Sequence, residues 1–234
     1  MTRTIKTRSS LARKARGEGP ERRREIVAAA RALMLRDGYD HTSMRAIARR
    51  VGVSSAALYV YFPTKEDLFN EVCHEAFQPL VEATMGLLTE TGDVLARARR
   101  GFEIYLRWGL AHPEEYSLIF LMPKVSLAPY DHRQPLLVPG PGGEIRYNSF
   151  AVLVEAVKLM MESGAIARDD PHLVAELAWM ACHGLVAAFI ARPKAPWSPV
   201  DRLVDGMVDL VIAGLKARLR SARCSDPATD SIAT

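Results

Sequence analysis

The sequence predicts an all-α protein, a small N-terminal helical domain ahead of a larger one. Three observations carry this. Apolar residues recur at spacings of three and four along nearly every patterned stretch, which is the period of an amphipathic helix. No stretch joins a two-residue alternation to hairpin turn residues, so no strand is expected. The composition, 49% hydrophobic and 25% charged over 234 residues, is that of an ordinary globular chain of one or two domains.

Residues 21–37 set Ile26, Ala30, Leu33 and Met34 on one helical face, and Gly38 suits the left-handed cap that ends such a helix. A short helix follows over 43–50, with Thr42 or Ser43 as N-cap, and another over about 54–60. A long helix starts after Pro63-Thr64 and carries Phe69, Val72, Phe77, Leu80 and Met85 towards residue 89. Pro79 lies inside it and is expected to kink it or end it near residue 78. A fifth helix spans about 92–111, and a sixth, about 113–121, opens on Pro113 and two glutamates that suit a helix N-terminus. Five prolines and three glycines between 122 and 143 forbid regular helix there. Helices resume at about 145–163, 170–191 and 199–219. The expected boundaries are a basic flexible tail at 1–20, a first domain at 21–65, a second at 66–220 and a polar tail at 221–234.

Charge divides the same way. Through Lys65 there are fifteen basic and five acidic residues, a balance of +10, while the remainder carries −6. A basic end joined to an acidic body fits one end meeting a polyanion, and it also fits a solvated basic tail. Nine of the fifteen basic residues lie at or before Arg24. That arm fits two roles equally, a solubilising extension or a strand laid along phosphates or a minor groove.

The stretch Thr42–Leu68 separates the two charge readings. Ala48 is small where two helices would cross, and Gly52 can take the positive φ of a tight interhelical turn. Ile47, Val51, Val53 and Leu58 fall where both short helices would face a shared core, and Ser54 or Ser55 can cap the second. This is the specification of a helix-turn-helix, whose second helix enters the DNA major groove. Tyr59, Tyr61 and Lys65 add hydroxyls and an ammonium at the same edge, groups that donate to phosphate oxygens.

The second half carries large apolar groups with polar tips, as a pocket between helices requires and as a plain helical core also requires. The candidates are Phe102, Tyr105, Trp108, Phe120, Met160, Trp179 and His183, with Met161 and Met180 beside them. Gly184, costly inside a helix by ~1 kcal/mol, is expected to mark a close approach of another helix or a ligand. The helices near 170–191 and 199–219 are apolar and rich in small residues, and two from each of two copies would form a symmetric four-helix interface.

The stretch resembles the TetR/AcrR family of bacterial transcriptional regulators. The resemblance rests on Gly38-Tyr39, Thr42-Ser43, Ile47-Ala48, Gly52-Val53-Ser54, Leu58-Tyr59 and Tyr61 through Leu68. Weaker matches follow at His112 through Tyr116 with Phe120, and at Trp179 with His183-Gly184, which is similar to the WHG type of C-terminal domain. The resemblance implies about nine helices, an N-terminal three-helix helix-turn-helix domain, and a larger domain for ligand binding and dimerisation. It implies a sequence-specific homodimeric repressor on a palindromic double-stranded DNA operator, released by a small hydrophobic or amphipathic effector. Carried over by position, Thr42, Ser43, Arg45, Ser54, Ser55 and Ala57 approach bases or phosphates, while Tyr59, Tyr61 and Lys65 hold the backbone. Val60 departs from the pattern, because relatives often carry a larger aromatic or basic residue there.

Other classes find no support. Three scattered cysteines, Cys73, Cys182 and Cys224, give no disulfide framework or zinc site. There is no GxSxG elbow, P-loop, dinucleotide fingerprint or HExxH, so no catalytic residue, metal or cofactor is expected. The most apolar stretch, Leu177 to Ala191, is shorter than the ~20 residues of a membrane span and is expected to be a buried helix. No signal-like segment opens the chain, and a bacterial cytoplasm is the expected setting.

Overall fold

The computed structural model describes residues 19–122, 133–139 and 145–224. Among them run nine α-helices: α1 (Gly19–Asp37), α2 (Met44–Val51), α3 (Ser55–Tyr61), α4 (Lys65–Thr89), α5 (Val94–Ala111), α6 (Pro113–Tyr116), α7 (Ser149–Glu162), α8 (Pro171–Ala191) and α9 (Val200–Cys224). A π-helical stretch, Ser117–Leu121, continues α6. The chain forms two compact units that divide between His74 and Glu75, inside α4. The expected boundary at residue 65 is instead where α4 begins.

In the first unit α1 packs on α2, and α2 on α3. Ile26, Val27, Ala30 and Met34 of α1, Ile47 of α2, Leu58 of α3 and Phe62 after it have no exposed surface. Burying a side chain of this size contributes about 1.5–3 kcal/mol, so this small core holds three short helices that would not persist alone. Arg23 ties α1 to the start of α4: its guanidinium bonds the buried Glu71 carboxylate at 2.7 Å and lies 4.5 Å over the Phe62 ring.

In the second unit α5 packs on α7, α8 and α9, and α8 on α7 and α9. Leu106, Val157, Met160, Ala175, Val186, Val204 and Val208 are fully buried there. Gly109 of α5 is the tight crossing point. A Cβ on it would lie 2.9 Å from Val186 Cγ1 and 3.0 Å from the Tyr116 ring. Around Gly184, by contrast, a Cβ would meet nothing within 4 Å, so the close approach expected there does not exist within the described residues.

Several expectations need correction. Pro79 does not end its helix, because α4 continues to Thr89; Pro79 is exposed, and a missing backbone donor costs little on a wet face. A short antiparallel ribbon, β1 (Leu137–Pro139) with β2 (Ile145–Tyr147), pairs Leu137 with Tyr147 and Val138 with Arg146 where no strand was expected. Helix α7 accordingly begins at Ser149 rather than 145. Buried Asn148 fixes that start: its Oδ1 accepts from Phe150 N–H at 3.1 Å, and its Nδ2 donates to Gln134 O at 3.0 Å. Helix α1 begins at Gly19 and α9 runs to Cys224, beyond the limits expected for both tails. The arm at 1–18, most of the Pro-rich segment and residues 225–234 lie outside the described residues. Helix α8 has 21 residues and by length and composition is apolar enough to cross a membrane, contrary to the expectation from its second half. Its packing on three neighbours makes it a core helix of the second unit.

Candidate nucleic-acid interface and apolar cavity

Local polar chemistry positions the short helices of the first unit. Gly38 at φ 83° turns the chain out of α1, and its N–H donates to Met34 O at 2.8 Å. Ser43 starts α2 by accepting from Ala46 N–H at 3.1 Å. Gly52, left-handed at φ 77°, ends α2, and Val53 N–H donates back to Ala48 O at 3.0 Å. Ser54 then starts α3 by accepting from Ala57 N–H at 3.1 Å. Thr64 and Asp67 cap α4 reciprocally: Asp67 N–H donates to Thr64 Oγ1 at 2.9 Å, and Thr64 N–H donates to Asp67 Oδ2 at 3.1 Å. Each such N-cap is worth about 0.5–2 kcal/mol, a large share of what a helix of seven or eight residues needs.

These caps present one face of α3 to solvent. Leu58 is fully buried, whereas Ser55 and Ala56 are exposed, Tyr59 is 48% exposed and Val60 82%. Arg45, Arg49 and Arg50 stand exposed on α2. Arg45, Ser55 and Tyr59 are therefore free to meet a ligand, and Ala57 and Tyr61 are half-buried beside them. Ser43 and Ser54 are exposed, with hydroxyls already engaged as caps. Thr42 is a correction. It is 3% exposed and its hydroxyl donates to Gly38 O at 2.8 Å, so it anchors the entry to α2 and offers nothing outward. Lys65 lies with Nζ 4.1 Å from the Tyr39 ring centre, donating to Asp40 O at 3.4 Å. Burial lowers its pKa, opposed by the Asp40 carboxylate. Arg49 and Val60 were not singled out as site residues. Arg49 follows Arg45 by one helical turn, a spacing that signals a shared face.

The second unit holds an apolar cavity of ≈ 100 Å³. Leu80, Val81, Leu87 and Leu88 of α4, Arg97, Phe102 and Tyr105 of α5, Val152, Leu153, Leu159 and Met160 of α7, and Trp179 and Cys182 of α8 line it. Four expected pocket residues are there: Phe102, Tyr105, Met160 and Trp179. Trp108, Phe120 and His183 are not. They pack in an aromatic cluster: Trp108 stacks on Phe77 at 5.0 Å, His183 stacks on Trp179 at 4.8 Å, and Phe120 lies tilted against Tyr116 at 4.8 Å. Such pairs gain about 0.5–1.5 kcal/mol beyond area burial, which favours ring-on-ring packing over facing a void.

A polar chain joins cavity and cluster. Tyr105 Oη lies 2.8 Å from Tyr116 Oη, which lies 2.6 Å from His183 Nδ1. Burial lowers the His183 pKa and holds the ring neutral. Burial likewise pushes both phenols above their ordinary value and the Cys182 thiol up to about 12. Tyr105 donating to Tyr116 and Tyr116 donating to Nδ1 is an arrangement in which both contacts have a donor and an acceptor, and it puts the proton of a neutral His183 on Nε2. Among the described residues no three His, Cys, Asp or Glu side chains gather as metal ligands.

Comparison with known proteins follows the two units. Residues 26–72 match bacterial regulatory proteins of the tetR family, and residues 98–211 match the tetracyclin repressor-like C-terminal domain. The nicotine-responsive transcriptional repressor HdnoR of Paenarthrobacter nicotinovorans is 29% identical over 99 residues, 42% of this chain and 50% of that protein. The chain thus spans about half the length of that relative. The nucleoid occlusion factor SlmA of Citrobacter koseri is 29% identical over 196 residues, 83% of this chain and 95% of that protein. Among solved structures, the SmeT–triclosan complex is similar in fold, with a TM-score of 0.61 at 16% identity over 83% of this chain and 91% of that one.

Proposed function

This chain belongs to the tetR family of bacterial regulatory proteins, and on that premise we propose that it is a sequence-specific DNA-binding transcriptional regulator, a repressor without enzymatic activity. A homodimer holds a palindromic operator, and a small hydrophobic or amphipathic effector releases it. The observation that carries this reading is the capped α2–α3 pair, which buries Leu58 and holds Ser55, Ala56, Tyr59 and Val60 outward. The face has few base-reading groups, since alanine and valine offer only apolar contact to thymine methyls. Arg45 is the best-placed group for a bidentate guanine contact, and phosphate contacts supply a large electrostatic share of affinity.

Dimerisation uses α8 and α9. Their outer faces leave Leu173, Leu177, Met180 and Leu210 between 40% and 70% exposed. Exposed Gly184 and Gly214 allow close approach of a second copy. The cavity is the effector site, and effector binding shifts the population towards protomer arrangements whose recognition helices no longer match adjacent grooves. The name of the HdnoR relative supports effector-responsive repression, and the SmeT–triclosan complex supports a small apolar ligand on this fold. Selection of binding sites from random duplexes tests the reading. A regulator yields a palindrome bound ~10³-fold or more above random DNA at physiological salt, and equal affinity for both defeats it. That second outcome is the one a sequence-independent nucleoid protein gives.

A further inference from the structure

Among the described residues the cavity wall has one cation, Arg97. Its Nη1 donates to three carbonyls at the end of α4 and just beyond: Leu87 O at 3.0 Å, Leu88 O at 3.2 Å and Glu90 O at 2.7 Å. Its Nε is buried and makes no hydrogen bond. Among the described residues no carboxylate pairs with it: Asp93, one turn before it, caps α5 by accepting from Leu95 N–H, and the Glu90 carboxylate pairs with Arg100. A guanidinium stays charged at every accessible pH. The helix end it caps supplies only a fraction of a compensating charge. An uncompensated cation and an unused donor in an apolar wall are both unfavourable, and an anion answers both. The rest of the wall limits the anion's remainder: Leu80, Leu87, Leu153 and Leu159 offer hydrocarbon and no further charge.

We propose that the cavity takes an amphipathic monoanion, an aliphatic chain ending in a carboxylate, with Arg97 receiving the head group. This rests on the reading of the cavity as the effector site. The carboxylate accepts from the guanidinium and the chain lies against the leucines. Because the same guanidinium clamps the last carbonyls of α4, head-group binding acts directly on the end of that helix.

The test titrates the full-length wild-type protein at neutral pH with decanoate, 1-decanol and decylammonium. Decanoate is expected to bind ~10- to 100-fold tighter than decanol, the increment of a charge-assisted hydrogen bond in a desolvated site. Decanol binding as tightly, decylammonium binding tighter, or no binding of any of the three overturns the proposal without recourse to a variant. Arg97→Met should bring decanoate level with decanol while leaving decanol unchanged. A preference that survives in a folded Arg97→Met protein also overturns it. Ala156 also lines the cavity, and Ala156→Phe, which fills it, should abolish binding of both; retained decanoate binding would place the site elsewhere. A parallel operator-binding assay separates the two readings. Decanoate bound through Arg97 without release of DNA defeats effector release and leaves the ligand class standing. Release by a neutral compound, with no carboxylate preference, does the reverse.

Discussion

Tyr116→Phe removes one oxygen from a residue with no exposed surface. That oxygen bridges Tyr105 Oη at 2.8 Å and His183 Nδ1 at 2.6 Å. A hydrogen bond contributes about 0.5–1.5 kcal/mol net, and a buried group left without its partner costs about 1–3 kcal/mol. Tyr105 keeps the Trp179 indole N–H as a donor and its hydroxyl can turn, so it loses only the acceptor of its own proton. His183 Nδ1 has no substitute among the described partners and bears most of the cost. The expected loss is about 2–3 kcal/mol, read as a fall in the urea midpoint at constant slope. The pH dependence is the second arm. Burial places the folded His183 pKa below its ordinary 6.5. As pH falls through 6.5 the unfolded chain takes up a proton that the folded chain refuses, so stability declines until pH passes the folded pKa. Tyr116 donates to the neutral ring and so reinforces this. In Tyr116→Phe the folded pKa moves back towards 6.5, and the loss of stability between pH 7.5 and 5.5 becomes shallower. A change below about 0.5 kcal/mol together with an unchanged pH slope would refute the polar chain as a structural unit.

Gly52→Ala should cost about 1–2 kcal/mol, because a side chain at φ 77° is strained, and should lower operator affinity by misplacing α3; equal stability to wild type in urea refutes the turn argument. Lys65→Ala should weaken binding to all sequences alike and reduce the salt slope of the binding constant by about one unit. An unchanged slope means that the ammonium serves only Tyr39 and Asp40. Met180→Glu, on the exposed face of α8, should convert a dimer to monomers in sedimentation while leaving the melting of the monomer fold intact; a persistent dimer moves the interface off this face.

The helix-turn-helix was legible because its determinants are local. Ser43, Gly52, Ser54 and the Thr64–Asp67 pair each act within three or four residues of themselves. Local pattern does not say which way a hydroxyl turns. Thr42 and Ser43 are equivalent as residue types, yet Ser43 caps forward and Thr42 bonds back to Gly38 O. The cavity was only half legible for a different reason. Phe102, Tyr105 and Trp108 follow one another at three-residue spacing on α5, and a period alone cannot say where the wall ends. Packing on Phe77 and Tyr116 takes Trp108 away from the void. Arg97 was invisible in sequence because one arginine among many carries no mark of burial. The ribbon was missed because three-residue strands, one ending in a proline, are too short to show alternation.

The composition of α8 is an argument about what covers it. Its inner face meets α5, α7 and α9, and burying Val174, Ala178, Cys182 and Val186 accounts for one apolar side. Its outer face is apolar too, with Leu173 40%, Leu177 48% and Met180 56% exposed. A helix apolar all round has to be buried all round, in a membrane or in protein. Three helices of the same unit already lie against its inner face, so a bilayer could reach only the exposed stripe of Leu173, Leu177 and Met180, which Gly184 makes shallow. A stripe of leucines and a methionine flanking a glycine suits a partner helix at close range better than lipid, because the missing side chain lets two backbones approach. The same two-sidedness that makes α8 long and apolar enough for a membrane therefore supports the proposed second copy of this chain over lipid, and the proposed palindrome is what two symmetry-related recognition helices would read.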